Sequence, residues 1–174
     1  MIEVLMVGYN GANNTGAEAL LAADIEDVRA VLGPGARITV PSLNPANLRR
    51  YVTEGPALRI EPMPTVFFAA IRRMVRRSDL VLLVEGSTYM DSWGSPLLWM
   101  YLWASRCAAK AGIPCMAYAV DAGTLKPFNA DLVRRVASRT GLIVTRNRAA
   151  AGRLRAFGVS APILSTADNA FTFQ

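Results

Sequence analysis

The sequence contains no histidine. That absence alone removes every mechanism in which an imidazole activates a serine or a cysteine. Proton transfer within these residues must run through a carboxylate, tyrosine, lysine or cysteine, or through a residue from elsewhere. Cysteine is nearly absent too: Cys107 and Cys115 stand alone, with no metal-ligand spacing around them. A zinc site and a disulfide framework are therefore not expected, and a reduced, cytoplasmic setting is the default. Long apolar runs are also missing. The longest, Pro96 to Ala104, is about half of what crosses a bilayer. Residues Met1 to Val7 carry no basic stretch ahead of their apolar run and read as a strand rather than a signal peptide.

What is present is an apolar chain with one dominant cation. The 174 residues are 52% apolar and 18% charged, which fits one globular domain with a sizeable core and is too short for two. The apolar share is high enough to suggest that part of the surface faces a partner. Of the 19 basic residues only Lys110 and Lys126 are lysines, and the formal charge is +6. Arginine suits planar, bidentate recognition of carboxylates and phosphates, so anionic ligands are expected. Heavy arginine usage also follows from genome base composition and a solvated surface. No helix carries a continuous basic face interleaved with aromatics, so nucleic acid is not expected as a partner.

Along the chain, strand-like and helix-like segments alternate. Strands are expected at Ile2–Val7, Arg37–Val40, Leu58–Glu61, Leu80–Val84, Pro114–Val120, Leu142–Thr145 and Pro162–Ser165. Helices are expected at Gly16–Leu32, Ala46–Val52 (short), Val66–Arg77, Ser95–Ala111, Asn129–Arg139 and Arg148–Phe157. Strands without polar alternation, separated by helices, imply a parallel sheet covered on both faces. The expectation is a doubly wound α/β domain of six or seven strands, with ligands beyond the strand carboxyl ends.

The loops at those ends hold the candidate chemistry. The first runs Gly8-Tyr9-Asn10-Gly11-Ala12-Asn13-Asn14-Thr15-Gly16-Ala17-Glu18-Ala19. Its glycines allow close backbone approach, and the following helix N-terminus offers free N–H groups to an anion. Thr15 is the expected N-cap, with Glu18 either its capping-box partner or a functional carboxylate. The glycine spacing matches neither the dinucleotide fingerprint nor a P-loop. The second loop is Val84-Glu85-Gly86-Ser87-Thr88-Tyr89-Met90-Asp91. Its carboxylates can accept hydrogen bonds from sugar hydroxyls or act as a base. Asp91 can equally cap the helix beginning near Ser95 or fix the loop. Asp121 ends a further strand, Arg146 and Arg148 sit at a strand-to-helix junction, and Asp168 follows the last strand.

Taken in order, these loops resemble the polysaccharide pyruvyl transferase family. Gly8-Tyr9, Gly11, Asn14, Gly16 and Glu18-Ala19 match its first loop, and Gly86, Ser87 and Asp91 match its second. Arg146 matches its strand-end arginine, and Thr166, Asp168, Ala170 and Phe171 match a segment near its domain boundary. Ala17, Glu85 and Asn169 depart from it, where that family has Asp, Gly and Pro.

The resemblance implies the N-terminal Rossmann-like half of a GT-B-type enzyme, with residues 1–174 as one domain and the C-terminal domain absent. It implies a transferase that moves the enolpyruvyl group of phosphoenolpyruvate onto sugar hydroxyls in polysaccharide or cell-envelope glycan synthesis. No cofactor is implied beyond that donor. A sugar or glycan acceptor and a missing domain or second subunit are the implied partners, and the isolated domain is expected to be inactive. Asp91, Asp121 and Glu18 are the implied catalytic carboxylates. Gly8, Tyr9, Asn14, Thr15, Gly16, Glu85, Gly86, Ser87, Arg146 and Asp168 are the implied substrate contacts, and no metal is implied.

Two other readings stand beside this one. The first is half of a GT-B glycosyltransferase that uses a nucleotide sugar, and the second is a non-catalytic module derived from the family. The segment from Leu97 to Trp103 is apolar all round, which suits core packing. It also suits an interface with the second domain, a second subunit or the inner face of a membrane. Arg72, Arg73, Arg76 and Arg77 suit either a helix C-terminus or anionic lipid.

Overall fold

The structure, a computed structural model, describes residues 1–12 and 14–168. Asn13, Asn169, Ala170 and Phe171, which belong to the loop motifs, lie outside the described residues. Among the described residues, seven strands alternate with six helices. In chain order these are β1 (Ile2–Val7), α1 (Thr15–Leu32), β2 (Ala36–Ser42), α2 (Pro45–Leu48), β3 (Leu58–Pro62), α3 (Phe68–Val75) and β4 (Leu80–Leu83). They are followed by α4 (Ser95–Ala111), β5 (Cys115–Val120), α5 (Pro127–Ala137), β6 (Leu142–Thr145), α6 (Arg148–Ala156) and β7 (Ile163–Ser165).

The strands form one sheet in the order β3-β2-β1-β4-β5-β6-β7, and every adjacent pair is parallel. This is the expected doubly wound, Rossmann-like architecture. From β1 the chain moves outward to β3, then crosses back and moves outward on the other side from β4. Right-handed crossovers therefore put α1 and α2 on one face and α3 to α6 on the other.

The side chains follow that division. Val4 and Met6 join Ile38, Val40, Leu82 and Val84 beneath Leu21 and Ile25 of α1. Leu5 and Val7 join Val81, Leu83 and Ile143 beneath α3 to α6. Neighbouring residues of one strand thus belong to opposite cores, the period-two consequence of the pleat. Cys107 and Cys115 are buried free thiols in the larger of these cores.

Two local devices shape the loops at the strand ends. Asn14, not Thr15, caps α1: its side chain accepts from the Ala17 N–H at 3.4 Å. Asn14 thus takes the N-cap position that the expected capping box gives to Thr15. The pairing of β5 with β6 shifts register between Ala117 and Val120, where Ala119 has φ +51°. Past this bulge the chain extends alongside the loop after β4, with Tyr89 and Ala122 paired as a parallel bridge.

Candidate functional site

The sheet order reverses direction between β1 and β4, and the crevice beyond the carboxyl ends of those two strands is where open α/β sheets bind ligands. A cleft of about 220 Å³ lies there. The start of α1 (Asn14, Gly16, Ala17) forms one wall, Glu85, Gly86 and Ser87 form the other, and Arg146 closes one side. Trp93, 77% exposed, stands at its rim. A larger groove of about 620 Å³ runs along α1 between Ala22 and Leu58, but no strand carboxyl end lines it. Topology favours the smaller cleft.

The first wall is held from beneath. Gly11 has φ +85°, and a Cβ there would lie 2.6 Å from Ser42 Oγ and 2.8 Å from the Asn44 carbonyl, so only glycine fits. The Gly11 carbonyl accepts from Asn47 Nδ2 at 2.9 Å, and Ser42 Oγ donates to the Asn10 carbonyl at 2.9 Å. The carboxylate of Glu18 turns back under the loop and accepts from the Gly11 N–H at 3.0 Å. Glu18 is buried, and burial raises its pKa against the lowering effect of that N–H. Among the described residues, its second oxygen and both polar atoms of the buried Asn10 side chain have no hydrogen-bond partner. Gly8 packs against Asn10, while Tyr9 and Gly16 are exposed.

The second wall is strained. Glu85 has φ +93°, a backbone region that L-residues rarely occupy, yet its side chain is buried. Its Oε2 accepts from both Ser87 Oγ and Tyr101 Oη, the latter at 2.7 Å. Its carbonyl accepts from Thr88 Oγ1 at 2.7 Å. Burial and the adjacent carboxylate push the Tyr101 phenol well above its ordinary pKa, so it stays a donor. The loop is thus closed by hydroxyl groups around one carboxylate, and no cation is bonded to it among the described residues.

Arg146 lies flat on Gly86, where a Cβ would meet its guanidinium at 2.6 Å. It donates to Asp121 Oδ2 at 2.9 Å and to Asp168 Oδ2 at 3.0 Å. Asn147 and the Ala122 N–H also donate to Asp121. Arg146, expected as a substrate contact, is therefore already matched by two carboxylates.

Asp91 is elsewhere. It accepts from the Lys126 N–H at 2.9 Å and from Asn129 Nδ2 at 2.7 Å, tying its loop to the start of α5 rather than capping α4. Burial raises its pKa, but those hydrogen bonds outweigh that effect and hold it below the usual carboxylate range.

Of the residues read from the sequence, Asn14, Gly16, Glu85, Gly86, Ser87 and Arg146 meet at the cleft. Thr15 begins α1 at its edge. Asp121 and Asp168 meet there through Arg146, whereas Asp91 and Glu18 do not line it. Sequence reasoning missed Tyr101, hidden in an apolar helical run, and Ser42 and Asn47, which brace the first loop. Only Ser42 left a signal, as a polar residue closing an apolar strand.

No protein-family model matches the chain, and no curated protein matches it by sequence. Solved structures do resemble it in fold. A putative UDP-N-acetylglucosamine 2-epimerase from Listeria monocytogenes superposes with a TM-score of 0.57 at 11% identity, covering 93% of this chain and 43% of its own. A uronate dehydrogenase variant from Agrobacterium tumefaciens complexed with NAD gives 0.54 at 13%, covering 96% and 77%. A dTDP-glucose 4,6-dehydratase from Streptomyces venezuelae with NAD bound gives 0.53 at 16%, covering 83% and 55%. The chain therefore spans about half the length of two of these three proteins. At such identities the likeness is one of fold: a Rossmann-like parallel sheet shared with sugar-modifying enzymes.

These findings correct three expectations. The enolpyruvyl transfer from phosphoenolpyruvate is not supported, because no family model matches and the structural neighbours are dehydrogenases, dehydratases and epimerases. The transferase class falls with it. The expectation of no cofactor does not stand against neighbours that hold NAD. The site itself fits NAD only in part. The α1 N-terminus and its glycines suit a phosphate, but β2 ends in Ser42, already bonded within the protein, where a dinucleotide site places a carboxylate for the ribose. The buried Glu18 carboxylate also occupies the Gly11 N–H.

Proposed function

We propose that this chain is a nucleotide-sugar-binding domain, and that it supplies one half of a two-domain enzyme acting on a nucleotide-linked sugar. The observation that carries this reading is the cleft at the switch point of an all-parallel sheet, walled by a helix N-terminus and by a buried carboxylate. The diphosphate belongs at the start of α1, where Gly16 presents a backbone amide without a bulky side chain. The sugar then lies toward Glu85, whose Oε1 is unused by Ser87 and Tyr101 and accepts a sugar hydroxyl. Arg146, held by Asp121 and Asp168, fixes the position of Gly86 and so the shape of that wall.

A non-glycine residue kept at positive φ in a cleft costs about 1–3 kcal/mol, and such strain clusters at working sites. This favours a functioning site over a module that has lost its chemistry. The open cleft and the exposed Trp93 at its rim suit a second domain closing from the strand ends. Structural neighbours described as acting on dTDP-glucose and UDP-N-acetylglucosamine support the substrate class.

Calorimetric titration with UDP-N-acetylglucosamine, dTDP-glucose, UDP and NAD tests this reading. Saturable binding of a sugar nucleotide, tighter than UDP alone, is expected. Binding by none of the four ligands would overturn it.

A further inference from the structure

The helices α3, α4 and α5 each carry aromatic side chains toward the N-terminus and cations toward the C-terminus of one exposed stripe. On α3, Phe68 is followed by Arg72 and Arg76 at helical spacing. On α4, Trp99 and Trp103 are followed by Arg106 and Lys110. On α5, Phe128 and Leu132 are followed by Arg135. Residues four apart share a helix face, so each series is a single stripe.

The three stripes lie side by side. Trp103 packs edge-on against Phe68 with centroids 5.4 Å apart, its Nε1 donates to the Phe68 carbonyl, and Trp99 Nε1 donates to Asn129 on α5. The polar atoms of both indoles are thus satisfied inside the protein, and their rings line an apolar groove of about 250 Å³ with Phe68, Phe128 and Leu132. Phe128 is 66% exposed, Phe68 43% and Trp99 36%.

The charge that α3 and α4 bring to this surface is positive, and on α5 Asp131 pairs with Arg134 and Arg135. No acidic residue occurs from 62 to 78 or from 92 to 120. Arg73 and Arg77 share Glu61, whereas Arg72, Arg76, Arg106 and Lys110 form no ion pair among the described residues. Helices of a parallel α/β sheet run back against the strands, so all three aromatic ends lie at the strand carboxyl end. The cleft lies at that same end.

We propose that the α3–α4–α5 surface docks this protein on an anionic phospholipid membrane. The aromatic band enters the headgroup boundary, and the cations lie about 5–16 Å behind it along the helices, by a rise of about 1.5 Å per residue. An amphipathic surface sinks about 5–10 Å into that boundary, so this spacing sets the cations among the lipid phosphates. An acidic protein partner explains the cations, but it does not explain why the aromatic groups precede the cations on all three helices. The bilayer explains both, and it turns the strand carboxyl ends toward the membrane. The inference does not depend on what the cleft binds.

Co-sedimentation with phosphatidylcholine vesicles, with and without phosphatidylglycerol, tests it. Binding is expected only to the anionic vesicles, weakening as salt is raised. Removing charge in the triple variant Arg72→Gln, Arg106→Gln, Lys110→Gln should weaken it about a hundredfold, roughly fivefold per cation. The variant Phe128→Ser should lose roughly tenfold or more. Unchanged circular dichroism and thermal midpoints verify that both variants are folded. The proposal is overturned by absence of binding, by equal binding to neutral vesicles, or by full binding of either variant. It is also overturned if polyglutamate binds as tightly as the anionic vesicles and Phe128→Ser leaves that binding intact.

Discussion

The two walls of the cleft solve the same problem in opposite ways. Both are turns that leave a strand and need one residue at positive φ. The loop after β1 uses Gly11, which adopts φ +85° without strain, and then packs Ser42 and Asn44 into the space a side chain would fill. The loop after β4 puts Glu85 at φ +93° and holds it with hydroxyls from Ser87 and Tyr101. One wall is shaped by the absence of a side chain, the other by the anchoring of one.

The contrast can be broken most severely at Gly11. The variant Gly11→Val should cost on the order of 3 kcal/mol, combining positive-φ strain with a clash against backbone, and urea denaturation measures it. The opposite wall depends on hydrogen bonds, so Tyr101→Phe should cost about 1–2 kcal/mol by the same measurement and loosen Glu85. Asp121→Asn leaves Arg146 with one carboxylate and should cost about 1 kcal/mol, while sugar-nucleotide affinity falls through the displaced Gly86 wall.

Glu85→Gly sharpens the comparison, because strain relief offsets the lost hydrogen bonds and stability should change by less than about 1 kcal/mol. Sugar-nucleotide affinity should nevertheless drop toward that of UDP in titration. Equal loss of stability and no loss of affinity would remove the distinction between the two walls.

The smallest effect concerns Glu18 and pH. Burial raises its pKa in the folded protein, so the folded state binds more protons than the unfolded one between the ordinary value of 4.5 and the raised one. Stability should therefore fall as pH rises through that window. Above it the charged carboxylate is a fixed penalty. Glu18→Gln keeps an acceptor for the Gly11 N–H and should flatten this dependence, raising the thermal midpoint near neutral pH while leaving it nearly unchanged in acid.

The strand and helix positions were legible in the sequence because apolar periodicity and glycine breaks are local. Leu80–Val84 and Ser95–Ala111 could be marked within a residue or so. The cap of α1 was misplaced by one residue because Asn14 and Thr15 are both good caps, and the choice depends on how the loop is held by Asn47 and Ser42. The ordered loop motifs suggested a pyruvyl transferase, but short glycine and carboxylate patterns recur wherever strand ends approach ligands. Here their agreement with one family did not extend to any family model.

What could be read from the residues alone was a doubly wound, mostly parallel α/β fold, the lack of an imidazole among these residues and the loops where ligands are expected. Those follow from composition and from periods of two and about 3.6 residues. Only the tertiary structure decided which charges are already matched. Arg146 lies between Asp121 and Asp168, Asp91 ties down α5, and Glu85 meets Tyr101. Each of these partnerships spans 16 to 38 residues of chain. Contacts at such separations depend on where strands and helices come to rest, which no local pattern encodes.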